Sequence, residues 1–489
     1  MVRAYKVAAA GLLLGLLLGA LGWWLLRPKP PVLLIRNVSV IDATGAPEQH
    51  GITVMIRGER IESLGPSAGI QAPSGAQVVD GSGKFLIPGL WDMHVHLTAA
   101  GEPAGSRDIL IPLLLVNGIT GVRDMGAHFE QIQKRREEMR RGELLGPRIF
   151  TAGPYVDGPE PSFQPAMVVT DAASAREAVR KLVGQGVDFI KVQTRVPREA
   201  YLALAAEAKR LKIPFAGHVP DAVEAWEAAH AGQASIEHLT QVLFGCKRRD
   251  AYIPWSAEQW KQENPEPGVD AEGRPRTWIG DWIAAYDNTE AEKLFTRMRN
   301  NRTWHTPTLV LLRNRAFLGA EGTLPAPDQL RFIPAALQEI WKQGALAWHE
   351  GLSYEETNAG IRLFQRQQQL VGDMLRAGLA FLAGTDTPAP YLFPGFSLHQ
   401  ELELLVQSGL SEMDALQAAT RNAAGFLGVL DSYGTIEKGK IADLLLLEAN
   451  PLQNIRNTGE ITAVILGGRY LDRSALDRLL AGAEQAEKK

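Results

Sequence analysis

Six residues with chemically active side chains stand at the ends of short apolar segments in this 489-residue chain. Two of them, His94 and His96, close the segment WDMHVHL. Residues i and i+2 of a β-strand point to the same face, so both imidazoles reach one ion. Imidazole and carboxylate groups bind zinc and similar divalent ions, so the pattern predicts a metal site. The other four residues are Lys191 in DFIKVQT, His218 in FAGHV, His238 in SIEHL and Asp386 in LAGTD.

The segments around these residues predict a (β/α)8 barrel over residues 87–433. Eight short apolar strands alternate there with helical patterns, which is typical of βα units. Barrel enzymes place their chemistry at the C-terminal ends of the strands. The six side chains fall at those ends, so we expect all of them to converge at one mouth of the barrel. This convergence favours a metal site over six unrelated structural residues.

Lys191 is an unusual member of such a set, because an ammonium group only donates hydrogen bonds and repels a cation. Taken alone, it indicates a buried lysine paired with a carboxylate. Beside two divalent ions, however, a depressed pKa makes the neutral amine available. Reaction with carbon dioxide then gives a carbamate, whose two oxygens bridge two metals. We therefore predict that Lys191 is N6-carboxylated.

The chain resembles the binuclear amidohydrolase superfamily in these six residues and in the longer motifs around them. PGLWDMHVHL, GVDFIKV, PFAGHVP, AGTDT and the run PGFSLHQELELLVQSGLSEMDALQAATRNAAGFLG are similar to imidazolonepropionase-like and prolidase-type members. The resemblance extends over residues 32–473 and implies two divalent ions, with zinc as the expected metal. It also implies the ligands. They are His94, His96 and Asp386 for the more buried ion, His218 and His238 for the other, and carboxylated Lys191 as the bridge.

The implied reaction is hydrolysis of a carbon–nitrogen bond. The two ions lower the pKa of a shared water, the hydroxide attacks an amide carbonyl, and Asp386 passes the proton to the leaving nitrogen. The expected substrate is a small amide or peptide-like molecule with a carboxylate. Its candidate binding residues are His128, Tyr155 and Arg195. The loops YVDGPEPSF and QTRVPRE differ from the Gly- and His-rich loops of peptidase-like relatives, which leaves a dipeptidase-like specificity open.

Two other functions stay open at the level of the sequence. One is a mononuclear deaminase or cyclic-amide hydrolase of the same superfamily; such members generally lack the fourth-strand lysine and often carry a glutamate near the fifth- or sixth-strand histidine. Glu237 precedes His238, but strand alternation predicts that its side chain points away from the barrel interior. The other is a non-catalytic, membrane-anchored binding protein, which has no physical need for six convergent ligands.

Both ends of the chain predict a second, smaller domain. Residues 32–86 and 434–473 are rich in strand patterns such as GITVMIRGERIESLG and ITAVILGGRYL. We expect them to form one β-sandwich domain beside the barrel. Residues 247–302 are predicted as an insertion between the sixth and seventh strands, either a lid over the mouth or a surface elaboration. Residues 474–489 are predicted as a tail that ends in a frayed, solvated helix.

Residues 1–31 are predicted as a membrane anchor followed by a spacer. Val7–Leu26 is an apolar run without charge, and at about 1.5 Å per residue it covers roughly 30 Å, the thickness of a hydrocarbon core. Trp23 and Trp24 fit an interfacial aromatic belt, and no A-x-A cleavage pattern follows the run. We expect a single anchoring helix with the catalytic domain outside the cytoplasm, in the periplasm. A cleaved secretory signal is the alternative.

The composition excludes several other classes of protein. Lys and Arg number 51 and Asp and Glu number 55, so the net charge is −4 and the pI is about 6.3, which gives no basis for nucleic-acid binding. Hydrophobic residues make up 45% and charged residues 22%, which excludes a largely disordered chain. Cys246 is the single cysteine, so an intrachain disulfide and a Cys-ligated zinc site are excluded. The oligomeric state is left open, a homo-oligomer included.

Overall fold

The computed structural model describes residues 31–98, 109–254, 256–266, 268–270, 273–320 and 324–487. The predicted membrane span Val7–Leu26 lies outside these ranges. Within them, no helix combines the length and the apolar character that a bilayer crossing requires.

The strands fall into three groups along the chain. The N-terminal strands are β1 (Val32–Val40), β2 (Gln49–Arg57), β3 (Arg60–Pro66), β4 (Gln77–Asp80) and β5 (Phe85–Pro88). The central strands are β6 (Leu90–Val95), β7 (Ile119–Asp124), β8 (Arg148–Thr151), β9 (Tyr155–Asp157), β10 (Ala166–Val168), β11 (Ile190–Val192), β12 (Phe215–Gly217), β13 (Ser235–Glu237), β14 (Trp304–Thr306) and β15 (Ala380–Phe381). The C-terminal strands are β16 (Leu444–Leu447), β17 (Ile461–Leu466) and β18 (Arg469–Asp472).

Helices follow most of the central strands. Those between β6 and β14 are Leu110–Val116, Phe129–Arg140, Ala172–Gln185, Arg198–Leu211, Ala225–Ala231, Thr240–Gly245, Ala257–Glu263, Trp278–Ala284 and Asn288–Asn300. The later helices are Leu309–Phe317, Ala335–Ala347, Tyr354–Arg376, Phe396–Gln407, Glu412–Ala418, Arg421–Phe426 and Arg473–Glu487. Short 3₁₀ helices are Ser67–Gly69, Asp328–Phe332 and Ile455–Gly459.

The central strands are parallel and their hydrogen bonds run around a ring. β6 pairs with β7 and β7 with β8, while β9, β11, β12, β13, β14 and β15 pair in that order. β8 and β9 are two halves of one strand interrupted at residues 152–154, since β8 pairs with β7 and β9 with β11. The ring closes where the Met93 N–H donates to the Ala383 carbonyl at 2.9 Å. Each of the eight strands expected from the sequence has a counterpart in this mixed α/β fold. The seventh, expected over HTPTLVLL (305–312), is limited to Trp304–Thr306, because the helix Leu309–Phe317 takes up the apolar residues that follow.

The two ends of the chain meet in one sheet beside the ring. Its strand order is β18-β17-β16-β5-β1-β2-β3, with β4 also paired to β1. β16 runs antiparallel to β5 and pairs Leu446 with Leu86. Leu444 and Leu446 pack in the core of this sheet, whereas Leu445 and Leu447 pack in the core of the ring. Burial on both faces accounts for four leucines in succession.

This arrangement differs in one respect from the expected sandwich, because the strands form a single hydrogen-bonded sheet. β1 pairs with β2 along one edge and with both β4 and β5 along the other. Leu33–Arg36 pairs with β4, and Ser39 pairs with Phe85 of β5. One long strand therefore joins the segments along both of its edges into a continuous sheet.

The insertion over residues 247–302 contains three helices and a small core of its own. That core joins Phe244 to Ile253, Trp282 and Ala285. None of the described residues of the insertion lines the cavity at the strand ends.

Residues 474–482 of the predicted tail are part of a packed helix, and of the solvated end predicted for residues 483–489, Ala483 is buried and Gln485 is exposed. This helix, Arg473–Glu487, packs against the helix Leu110–Val116. Leu476 and Ala483 are buried, and Leu480 packs against the same core. The spacing i, i+4, i+7 places all three on one face, which the sequence analysis overlooked.

Candidate metal centre

The carboxyl ends of the parallel strands open into a cavity of about 850 Å³. His94 lies within β6 and Lys191 within β11, whereas the other candidates follow the ends of their strands. Since parallel strands of a ring end at the same rim, side chains from five of them meet there. All six predicted ligands line this cavity: His94, His96, Lys191, His218, His238 and Asp386.

Asp386 lies between the histidines. One carboxylate oxygen is 3.1 Å from His94 Nε2 and 2.9 Å from His96 Nε2, and the other is 4.0 Å from His238 Nε2. The ring of His218 lies beside that of His238, with 4.9 Å between the ring centres. The ligand atoms of His94, His238 and Asp386 all lie within 4.8 Å of one another, a spacing that accommodates a metal ion.

Each of the four histidines is held at Nδ1 by a neighbouring polar group. Such partners fix the orientation of a metal-binding imidazole and leave Nε2 as its ligand atom. The Glu237 carboxylate also sets the tautomer of His94, because it is only an acceptor and the His94 Nδ1–H must donate to it. The four pairs are His94 with Glu237 at 3.0 Å, His96 with Tyr155 at 3.0 Å, His218 with Thr194 at 2.8 Å and His238 with Thr308 at 2.6 Å.

Glu237 lies in the interior of the ring, which corrects the sequence prediction. Its buried carboxylate is 3.0 Å from His94 Nδ1 and 2.8 Å from the Arg123 guanidinium. The alternation argument is wrong because His238 has a φ of 59°, so the strand geometry ends at Glu237. Burial acts to raise the pKa of Glu237, but the charges of Arg123 and His94 outweigh it and hold that pKa well below its usual value. Glu237 is therefore an ionised support for His94.

Asp92, which sequence reasoning missed, supports His94 from the same strand. Its carboxylate accepts hydrogen bonds from the His94 N–H at 3.1 Å and from the Thr385 hydroxyl at 2.6 Å. Burial raises the pKa of Asp92 to about 7, although these hydrogen bonds oppose the shift. Asp92 thereby joins β6 to the loop that carries Asp386. The clue in the sequence was its spacing, because residues 92 and 94 share a strand face.

The Lys191 amine is buried beside the histidines and has no hydrogen-bond partner within the described part of the chain. Gly217 makes room for it, since a Cβ there would lie 2.8 Å from Lys191 Cδ. Burial lowers the pKa of Lys191 to about 8, although the charges of Glu237 and Asp386 act in the opposite direction. The amine therefore has a larger neutral, nucleophilic fraction than an exposed lysine.

Comparison with known proteins identifies the family. The amidohydrolase family matches residues 85–471. This chain belongs to the amidohydrolase family. The match begins at β5 and ends in β18, so it includes all six candidate ligands. The resemblance inferred from the motifs is confirmed.

Individual relatives of this amidohydrolase are distant. Imidazolonepropionase from Pseudomonas putida (strain GB-1) is 26% identical over 404 residues, which are 79% of this chain and 84% of the relative. Adenine deaminase 3 from Rhizobium meliloti (strain 1021) is 27% identical over 227 residues, 43% of this chain, and the match spans only 36% of that relative. The crystal structure of a Xaa-Pro dipeptidase with bound methionine in the active site has a TM-score of 0.65 and 21% identity, covering 90% of this chain and 100% of that one. At 21% identity, this similarity is evidence for a shared fold alone.

The three residues predicted to bind substrate in this amidohydrolase occupy different places. Tyr155 lines the cavity. Arg195 and His128 are not among the described residues that line it. The Arg195 guanidinium donates to the Glu160 carbonyl, and His128 immediately precedes the helix Phe129–Arg140.

Sequence reasoning missed several other residues of the cavity wall. They come from loops and helices beyond the strand ends, where no periodic pattern marks which side chains point inward. They include Phe163, Asp221, Arg315 and Trp348.

Proposed function

We propose that this protein is a binuclear, metal-dependent amidohydrolase on a (β/α)8 barrel, and that it hydrolyses a carbon–nitrogen bond in a small amide or peptide-like molecule. The observation that supports this most is the position of Lys191. Its buried amine has no hydrogen-bond partner among the described residues and lines the same cavity as four histidines and Asp386. Six such side chains exceed the four ligands of a single tetrahedral zinc ion.

The residues present fit two divalent ions. His94, His96 and Asp386 would hold one, because two Nε2 atoms approach the same carboxylate oxygen. The adjacent rings of His218 and His238 would hold the other, with carboxylated Lys191 as the bridge. Zinc is the proposed metal, since imidazole and carboxylate ligands suit it. When bound, the ions supply a water of lowered pKa and polarise the substrate carbonyl.

Asp386 is the proposed proton carrier. In the reaction, water adds to the carbonyl carbon, the carbon–nitrogen bond breaks, and one proton moves from the water to the leaving nitrogen. Asp386 accepts this proton and releases it to the nitrogen, so the carboxylate is regenerated. Burial acts to raise the pKa of Asp386, but the His94 charge and the hydrogen bonds from His94 and His96 hold that pKa well below its usual value. The group is therefore ionised and able to accept a proton at neutral pH.

We also propose the carboxylation of Lys191. The neutral amine attacks carbon dioxide, one N–C bond forms and one proton leaves to solvent, so a carbamate with a single negative charge results. The pKa of about 8 supports this step, because it makes the neutral amine accessible near physiological pH. The new oxygens would fill the space between the histidines, where the amine itself has no hydrogen-bond partner among the described residues.

A mononuclear deaminase or cyclic-amide hydrolase is the second candidate. One observation favours it, since His94, His238 and Asp386 alone provide three ligand atoms, enough for one catalytic ion. Two relatives are named adenine deaminase and imidazolonepropionase. Against it, Glu237 is bound by Arg123 and His94 and is not positioned as a mobile acid or base.

Metal content separates the two candidates. With zinc and bicarbonate supplied during expression, we expect about two ions per chain, because the ligands are too many for one. Lys191→Ala should lose metal and most hydrolysis of a library of dipeptides and N-acyl amino acids, while the exposed control Lys181→Ala should match the wild type. Short carboxylic acids should partly restore Lys191→Ala by taking the carbamate's place.

Two results would count against this proposal. A reproducible content near one ion per active chain would favour the mononuclear candidate. Wild-type metal content and rate in Lys191→Ala would show that no bridging carbamate is needed.

A further inference from the structure

Arg315 is a cation at the cavity wall that the proposed mechanism does not use. It lies on the helix Leu309–Phe317, and it lines the cavity together with Leu311 and Leu312. Residues 311, 312 and 315 share one face of the helix. Arg313, on another face, lines a separate cavity of about 540 Å³. The helix thus presents one arginine to the metal-site cavity.

The helix is attached to the candidate metal site at its first turn. Thr308 precedes it, and the Thr308 hydroxyl is 2.6 Å from His238 Nδ1. Seven residues of helix place Arg315 about 10 Å along the axis from Thr308, and helical side chains lean toward the N-terminus. Arg315 therefore lies on the cavity wall one to two helical turns from the residue that contacts His238.

The Arg315 side chain is exposed in the cavity, and within the described residues it has no ion-pair or hydrogen-bond partner. Arg313, two residues earlier, donates to Gln400 at 2.8 Å. Lys191, another cation at the cavity, is buried and is assigned to the carbamate. Among the described residues that line the cavity, Arg315 is the cation left to bind an anion.

The surroundings of Arg315 favour an anion with an apolar neighbour. A guanidinium forms two parallel hydrogen bonds with one carboxylate, and an apolar wall strengthens that pairing. Asp221 also lines the cavity, where Gln241 donates to its carboxylate at 3.1 Å, so a second substrate carboxylate near it would be repelled. The apolar and aromatic residues of the wall are Phe163, Leu311, Leu312 and Trp348.

We propose that Arg315 binds the carboxylate of the substrate, beside an apolar or aromatic substituent. The enzyme then prefers N-acylated apolar amino acids and related amides with a free carboxylate over their uncharged analogues. This inference rests on the proposed hydrolysis and names its substrate class. It makes Arg315 a residue that determines specificity without contact to the bond that breaks.

The test compares N-acetyl-L-phenylalanine with N-acetyl-L-phenylalaninamide, following release of the free α-amine. Wild type should show a kcat/KM at least about tenfold higher for the acid, as expected for a charge-assisted pair. Arg315→Gln should reduce that preference to about twofold or less through KM for the acid, and leave the amide unchanged. Arg315→Lys should retain part of the preference, because it keeps the charge without the fork geometry. Arg176→Gln, on an exposed helix face, is the matched control.

Calorimetric binding of the same two compounds distinguishes this inference from the proposed function. A carboxylate preference in binding that Arg315→Gln abolishes supports the site even if neither compound is hydrolysed, in which case the hydrolysis proposal is the one that is wrong. If the wild type binds the acid and the amide with equal affinity, or binds neither, the inference is overturned. A preference that survives in Arg315→Gln and disappears in Arg195→Gln also overturns it.

Discussion

Asp386 organises the site through its side chain and its backbone together. Its carboxylate is 3.1 Å from His94 and 2.9 Å from His96, and its N–H donates to the His94 carbonyl at 2.7 Å. Its φ of 64° lies in the left-handed region, which asparagine and aspartate tolerate better than most residues. Asparagine at this position therefore preserves the backbone and one ligand oxygen, but it cannot accept a proton.

We expect Asp386→Asn to lower kcat by about 10²–10⁴-fold, the usual loss when a general base is removed. KM should change far less, since Arg315 and the apolar wall are untouched. Steady-state kinetics and metal analysis on one preparation measure both effects, with Asp431→Asn, an exposed aspartate, as the control. Near-normal turnover at full metal content would exclude Asp386 from proton transfer.

The residues of the site were predictable from sequence where a strand sets their direction. His94 and His96 share a face because they are two residues apart, and His218 immediately follows a strand end. Glu237 was misplaced because one left-handed residue after the strand, His238, ends the alternation. A dihedral angle of that kind leaves no mark on residue type when the residue is not glycine. Arg315 was missed because the side of its helix that faces the cavity is set by how the helix packs, which the sequence pattern does not give.

At the scale of elements, the helix Leu309–Phe317 connects the candidate metal site to the helix Phe396–Gln407. Glu401, buried on the helix Phe396–Gln407, accepts a hydrogen bond from the Val310 N–H at 2.7 Å. It therefore caps a first turn whose N–H groups have no partner within the helix. Because Thr308 stands at that turn and contacts His238, Glu401 positions a ligand candidate from a distance.

Burial raises the pKa of Glu401 to about 8, and the charge of Asp92 acts in the same direction. The hydrogen bonds from Val310 and Leu309, and the charge of Arg313, oppose it. The ordinary value is 4.5, so between about pH 4.5 and pH 8 the folded protein holds a proton that the unfolded chain has released. The unfolded state binds fewer protons there, so this group lowers the free energy of unfolding as the pH rises through that window.

We expect Glu401→Gln to remove this dependence, since an amide keeps an oxygen for the Val310 N–H but does not titrate. Its Tm should be close to that of the wild type near pH 5 and should rise above it progressively toward pH 8. Thermal unfolding across this range, with the exposed Glu339→Gln as the control, measures the difference. A Tm difference that is constant with pH would show that Glu401 does not hold a proton in the folded state.

Apolar runs predicted most of the strands, but not the short β9 and β10, and not how the strands are joined. The expected sandwich is one sheet because β1 has two different partners along one edge. The packing of the helix Arg473–Glu487 was not predicted because few of its residues, Leu476 among them, are buried, and seven of its fifteen residues are polar. Which strand or helix an element packs against depends on residues that are far apart in the chain, so local patterns do not reveal it.

At the scale of the whole molecule, the sheet and the ring share a core. Leu445 and Leu447 of β16 pack into the ring, and a Cβ on Gly118 would meet Leu445 at 2.5 Å, so the contact admits no larger residue. Asp443, just before β16, is 2.9 Å from the Arg148 guanidinium of β8. The C-terminal strands are therefore part of the structure that supports the site.

Two truncations test this organisation together with the anchor. Removal of residues 1–30 leaves every element that the structure describes, so we expect a protein that needs no detergent and keeps its metal content and kcat. A chain ended at Gly434 loses β16, β17 and β18, which uncovers Leu86 and Ile87 of β5, and we expect it to aggregate or unfold. Circular dichroism and size-exclusion chromatography measure both outcomes. Release of the full-length protein from membranes by high salt alone would contradict the anchor, and a folded, active chain ended at Gly434 would contradict the shared core.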